Sequence, residues 1–174
     1  MKGLVHIFCG DGKGKTTSAI GLGIRACGFG KHVMMIRFLK GNYSYELKIL
    51  NKLKNFYILP CPEIINSTYN MTENQMQEAS VLCTNMFLRA VSAVNNQECN
   101  VLILDEIFCA VNFQFLDNKL IIDLIKNKPH DLELVLTGQN PKPEVLELAD
   151  YVSEIKKVEH PFETNVPARR GIEF

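Results

Sequence analysis

The chain has 174 residues, 47% hydrophobic and 22% charged, with nineteen Lys and Arg balanced by nineteen Asp and Glu. That mixture predicts one compact domain over residues 1–174 and excludes a disordered or low-complexity protein. A zero net charge removes the whole-molecule basic field that a nucleic-acid partner would call for, and no run approaches the ~18 apolar residues of a membrane span. The six cysteines, at 9, 27, 61, 83, 99 and 109, form no CxxC pair, and the apolar run at the N-terminus is too short for a signal peptide. A cytoplasmic protein with reduced thiols is the expectation.

Leu4 to Cys9 is an apolar run stopped by Gly10-Asp11-Gly12 and reads as a buried strand ending in a tight turn. A helix from Thr16 to Cys27 follows, with Ile20, Ile24 and Cys27 at helical spacing and Gly28 and Gly30 suited to ending it. A second strand is predicted over His32 to Leu39, and further strands over Phe56 to Leu59, Asn100 to Leu104, Glu133 to Thr137 and Tyr151 to Ile155. Thr72-Glu73-Asn74-Gln75 has the form of a capping box, opening a long helix with Met76, Ala79, Cys83, Met86, Phe87, Ala90 and Val94 on one face. Another helix is predicted from Asp117 to Asn127, and Pro143 suits the first turn of the next. Six strands thus alternate with five helices, which predicts a parallel sheet covered on both faces.

The turn after the first strand reads Gly10-Asp11-Gly12-Lys13-Gly14-Lys15-Thr16-Thr17. Closely spaced glycines let consecutive N–H groups point at phosphate oxygens, and the following helix adds the positive end of its dipole. Lys15 supplies a point charge, and the Thr16 hydroxyl is placed to ligate Mg²⁺. Cys9 stands where the general phosphate-loop pattern has its first glycine. The apolar run Val101 to Leu104 leads into Asp105-Glu106, a pair of carboxylates at a strand's polar end that suits magnesium.

These residues resemble the P-loop type ATP:corrinoid (cob(I)alamin) adenosyltransferases over nearly the whole chain. The likeness rests on the loop Gly10 to Thr17, Arg25, Phe38-Leu39-Lys40-Gly41, Leu104-Asp105-Glu106, Leu136-Thr137-Gly138, His160-Pro161-Phe162 and the tail Ala168 to Phe174. It implies a three-layer, RecA-like P-loop NTPase fold around a mostly parallel six-stranded α/β sheet. It also implies transfer of the 5′-deoxyadenosyl group of ATP to Co(I) of a corrinoid, with triphosphate as the leaving group. By the same resemblance Gly10, Asp11, Gly12, Lys13, Gly14, Lys15, Thr16 and Thr17 bind ATP, while Thr16, Asp105 and Glu106 serve Mg²⁺. Lys15 and Arg25 position the reactants, and no protein nucleophile is needed.

The resemblance further implies a homodimer and an electron-donating reductase such as a flavoprotein, with no nucleic-acid or membrane partner. Asp11 stands where the family often has Asn and suits a ribose contact. Gln139 stands where many members have Arg and is left outside the site. Without any Trp in the chain, Tyr69 and Met71 are the candidates to press on the lower face of the corrin. A RecA-like ATPase, with Glu106 orienting water, and a nucleotide-dependent switch are the alternative readings.

Overall fold

The computed structural model describes residues 2–41, 44–61 and 71–173. Six strands form one sheet: β1 (Val5–Cys9), β2 (Val33–Arg37), β3 (Phe56–Leu59), β4 (Val101–Asp105), β5 (Glu133–Thr137) and β6 (Tyr151–Glu154). Their order is β3-β2-β4-β5-β1-β6, and every pairing is parallel. The sheet is therefore all-parallel rather than mostly so. Helices α1 (Lys15–Gly28), α2 (Leu47–Leu50), α3 (Glu73–Asn95), α4 (Ile107–Asn112), α5 (Asn118–Asn127) and α6 (Pro143–Leu146) make up the remaining elements, with a 3₁₀ turn at Pro161–Thr164. The short α2 and α4 were not expected, because neither is long enough to display a helical period.

Alternation along the buried strands sorts the core into two layers. Met34 and Ile36 of β2, Leu102 and Leu104 of β4, and Leu134 and Leu136 of β5 pack with Ala79, Cys83, Phe87 and Ala90 of α3 and with Ile121 and Leu124 of α5. Val33 and Met35, Val101 and Ile103, and Val135 face the other way, toward Ala19 of α1 and Leu50 of α2. Both faces of β2 and β4 are covered, so these strands are apolar up to their last residues, Arg37 and Asp105.

On α1 the expected stripe is displaced. Ile24 is exposed, and the buried face runs through Lys15, Ala19 and Gly23. A side-chain carbon at Gly23 would come within 2.8 Å of Phe56 and 3.0 Å of Ile103, so small residues let α1 ride close to the sheet. The capping box of α3 is present in full, with Gln75 N–H donating to the Thr72 hydroxyl and Thr72 N–H donating to the Gln75 side chain. Met76, in that first turn, faces solvent. Since all strands run in one direction, their carboxyl ends share one edge of the sheet, where a parallel α/β fold presents its ligand groove.

Candidate active site

The groove at that edge encloses about 580 Å³ and is lined by Gly12 to Thr17, Lys40, Glu106 and the tail residues Gly171 to Glu173, among others. Its floor is the loop after β1. Gly10 turns the chain at φ 102°, and a side-chain carbon there would lie 2.3 Å from the Ile155 carbonyl, so the turn demands glycine. The segment following β6 supports the loop: Ile155 N–H donates to the Cys9 carbonyl at 2.8 Å, and Gly12 N–H donates to the Ile155 carbonyl at 2.8 Å.

Helix α1 begins at Gly14 with no side-chain cap and no acidic residue in its first turn. Its leading N–H groups and dipole thus face the groove without an internal anion, which suits a phosphate. Lys15 is buried, and its ammonium donates to the Gly12 carbonyl at 2.8 Å. Thr17 is exposed at the rim, as is Lys13, whose ammonium meets Glu173 at 3.0 Å. Asp11 accepts from Lys157 N–H at 2.9 Å. That bond holds its carboxyl below the usual carboxylate range, and it gives Asp11 a structural task beside the ribose contact expected of it.

The inner wall comes from β4 and its neighbours. Asp105 is fully buried, and its Oδ1 accepts from the Thr16 hydroxyl at 2.9 Å and the Thr137 hydroxyl at 2.7 Å. Thr137, also fully buried, in turn accepts from Glu106 N–H at 2.9 Å. Because β5 lies between β4 and β1, the hydroxyl ending β5 is the natural link between the acidic strand end and the phosphate loop. Lys40, beyond the end of β2, donates to Thr16 Oγ1 at 2.6 Å and Asp105 Oδ2 at 2.9 Å, and its Nζ lies 3.4 Å from Glu106 Oε1. One hydroxyl and two carboxylates therefore already converge on a cation, and they are the hard oxygen donors that magnesium takes. Residues Thr16, Asp105 and Glu106 fit that metal.

Glu106 itself adopts φ 60°, an uncommon conformation for a side-chain-bearing residue that turns the chain from β4 into α4. Its Oε2 accepts from the Cys109 thiol at 2.8 Å. Burial, reinforced by that bond and by the charge of Glu106, pushes the Cys109 thiol up to about 12. Burial likewise pushes Cys83 up to about 12 and Cys99 up to about 11. These thiols remain protonated at neutral pH and make poor nucleophiles.

Thr16, Asp105, Glu106 and the loop thus come together as the sequence suggests. Arg25 does not join them. It is exposed near the far end of α1, ten residues past Lys15 and so about 15 Å along the helix, outside the groove of its own chain. Met71 is partly buried against the main core beside the start of α3, and Tyr69 lies outside the described residues. Thr137 and Lys40 entered the sequence reading only within the family-like segments Leu136-Thr137-Gly138 and Phe38-Leu39-Lys40-Gly41, without an assigned role in the site. Their signal was a hydroxyl ending an apolar strand and a lysine just past another strand's carboxyl end.

The protein-family model described as ATP:corrinoid adenosyltransferase BtuR/CobO/CobP matches residues 1–174. The corrinoid adenosyltransferase CobA of Salmonella typhimurium strain LT2 is 30% identical over 175 residues, spanning 99% of this chain and 86% of that relative. The corrinoid adenosyltransferase of Escherichia coli K12 is 27% identical over 173 residues, again 99% and 86% of the two chains. A solved KaiC-like protein from Pyrococcus horikoshii OT3 superposes with a TM-score of 0.54 at 14% identity, covering 91% of this chain and 75% of that one. The last likeness concerns the fold alone.

Proposed function

The chain belongs to the ATP:corrinoid adenosyltransferase BtuR/CobO/CobP family, and from that premise we propose that it moves the 5′-deoxyadenosyl group of ATP onto Co(I) of a corrinoid and releases inorganic triphosphate. Its class is thus ATP-dependent transferase. In the proposed step a Co–C bond forms at C5′ as the C5′–O bond breaks, and the electron pair of that bond leaves with the triphosphate. The observation that carries the reading is the uncapped start of α1 beside the Thr16–Asp105–Lys40 cluster. That arrangement suits a triphosphate and its counter-cation.

Since the substrate cobalt brings the nucleophile, this chain's own work is positioning and charge neutralisation. The loop N–H groups from Gly10 to Thr17, apart from the Gly12 N–H that the Ile155 carbonyl takes, hold the triphosphate in line, and Lys15 exchanges the Gly12 carbonyl for a phosphate oxygen. Asp105, fixed by Thr137 and Thr16, holds the inner wall rigid, so charge is received without reorganisation. Thr16, Asp105 and Glu106 would hold Mg²⁺, which supplies electrostatic stabilisation of the leaving triphosphate. Asp11 lies at the rim where a ribose would pass, and Met71 with Tyr69 is assigned to the corrin's lower face.

The proposed enzyme is a single domain that works in the cytoplasm as a homodimer, fed with Co(I) by an electron-donating reductase such as a flavoprotein. Among the described residues no helix is long and apolar enough to cross a membrane. Arg25 reaches reactants only if a second copy brings it there.

The test is incubation of the purified protein with Mg-ATP and chemically reduced cobalamin, followed by identification of both products. Adenosylcobalamin with equimolar triphosphate is expected. Stoichiometric ADP and phosphate would instead identify an ATPase, and neither product a nucleotide-dependent switch.

A further inference from the structure

Lys40 is placed with unusual care for a lysine just beyond a strand. The residue before it, Leu39, has φ 57°, a left-handed conformation that is unfavourable for a residue bearing a side chain and persists only where its surroundings enforce it. Phe38, fully buried, anchors the turn by donating its N–H to the Asp105 carbonyl at 2.8 Å. On the opposite side Glu106 is also left-handed. These two strained turns aim Lys40 Nζ and Glu106 Oε1 at one another, 3.4 Å apart. The ammonium completes its contacts with Thr16 Oγ1 at 2.6 Å and Asp105 Oδ2 at 2.9 Å.

Those oxygens are the ones assigned above to a divalent cation. An ammonium and a metal ion cannot share them, because like charges at contact distance repel strongly. Asp105 is fully buried, so its charge needs a compensating cation at all times. The triphosphate offers an alternative home for the lysine, since Lys40 borders the same groove as Lys13 and Lys15.

We propose that Lys40 is a built-in counter-ion that holds the cation position between Thr16, Asp105 and Glu106 until nucleotide arrives, so that the site admits a divalent cation only together with the triphosphate. On binding, Lys40 gives up the carboxylates for a phosphate oxygen while the incoming metal takes over Asp105 and Glu106. Free divalent cations are thereby kept out of a site that, without Lys40, would present two carboxylates to them. This role rests on the assignment of Thr16, Asp105 and Glu106 to magnesium.

Binding of Mn²⁺, a spin-active substitute for magnesium, is measured by electron paramagnetic resonance on the full chain, with and without ATP and with no corrinoid present. The wild type and Lys40→Met are compared, with Lys40→Arg as the charge-retaining control and circular dichroism confirming the fold of each. In the wild type, Mn²⁺ binds appreciably only with ATP. In Lys40→Met, nucleotide-free affinity for Mn²⁺ rises at least about tenfold, and the gain in Mn²⁺ affinity on adding ATP shrinks accordingly. Lys40→Arg stays close to the wild type in nucleotide-free affinity.

Unchanged nucleotide-free affinity in a folded Lys40→Met, with ATP-dependent Mn²⁺ binding intact in both proteins, overturns the counter-ion role alone. Absence of Mn²⁺ binding in both proteins even with ATP overturns the magnesium assignment itself. Should Lys40→Met fail to fold, Lys40→Gln, which keeps a polar donor, is read by the same criteria.

Discussion

The inner wall and the outer rim of the groove are both built from paired charges and hydroxyls, yet they are held in opposite ways. On the inner wall Asp105 and Thr137 are fully buried, and their bond joins the adjoining ends of β4 and β5. At the rim, Asp11 with Lys157, Lys13 with Glu173, and Arg169 with Glu173 pair in solvent, on a loop and a tail. Buried partners cannot be replaced by water, so their loss leaves an unsatisfied group, whereas rim partners are screened and exchangeable. The wall thus fixes where charge is received, and the rim adjusts around whatever is bound.

The largest effect separating the two regions is expected at Lys15. It is buried, and its ammonium donates to the Gly12 carbonyl rather than to a carboxylate of the wall, so Lys15→Ala should leave the fold intact and lower turnover by ~10²-fold or more, in line with loss of a group that meets transition-state charge. Circular dichroism and steady-state kinetics check both halves, and near-normal turnover would remove the loop from the chemistry.

Next comes Thr137→Val, which keeps the shape and removes the hydroxyl. Asp105 loses one donor and Glu106 N–H loses its acceptor, so unfolding should become easier by about 1–3 kcal/mol. Turnover should fall roughly tenfold or more through misplacement of Asp105, seen in kcat rather than KM. A denaturant titration showing no change would mean that the wall is less rigid than its bonds imply.

Much of the wall and floor was legible from residues alone, and the rim largely was not. Short β-type runs located β3 and β5 to the residue and the others within two, and the continuous apolar signal was strongest in the central strands β2 and β4, which are buried on both faces. Thr72 and Gln75 announced α3 because a capping box is local chemistry. The loop Gly10 to Thr17 was plain for the same reason. By contrast, the meeting of Lys40, Asp105 and Thr137 depends on the spatial order β2-β4-β5, which chain order does not reveal. Glu173 meets Lys13 across 160 positions, with no periodicity to betray it. Helix α4 was hidden because the left-handed Glu106 starts it with no capping side chain. Ile24 shares helical spacing with Ile20 and Cys27 yet is exposed, because glycine at 23 brings α1 so close to Phe56 and Ile103 that the buried face runs through Ala19 and Gly23.

A smaller effect is expected at Asp11. Its carboxylate holds Lys157 N–H, and the adjoining Ile155 carbonyl supports Gly12. Asp11→Ala should raise KM for ATP by less than about tenfold with kcat retained, because exposed contacts position more than they stabilise. Asp11→Asn, which keeps an acceptor oxygen, should recover most of the loss. Failure of Asn to rescue, with the charge alone responsible, would give the rim an electrostatic role and blur its difference from the wall.

The smallest effect, and the sharpest measure of the rim, lies in the tail. Glu173 accepts from Arg169 N–H at 2.7 Å, pairs with the Arg169 guanidinium at 3.0 Å and meets Lys13 at 3.0 Å. The Arg169 side chain first, then its N–H, then Lys13 hold the Glu173 carboxyl down at about 2, against an ordinary 4.5. A carboxylate lowered on docking favours the docked tail fully above its ordinary value and loses that contribution as pH falls through about 2. Protection of the Arg169 amide against hydrogen exchange, corrected for intrinsic rates, should therefore be constant from pH 7 to about 4.5 and decline below it. Glu173→Gln should show reduced protection at neutral pH and less than about threefold change in turnover at low salt. Near 1 M salt, where screening shortens to about 3 Å, wild type and variant should converge, whereas the Thr137→Val deficit should persist. A salt-insensitive deficit at Glu173 would place the tail with the wall, making it a fixed part of the site and not its adjustable edge.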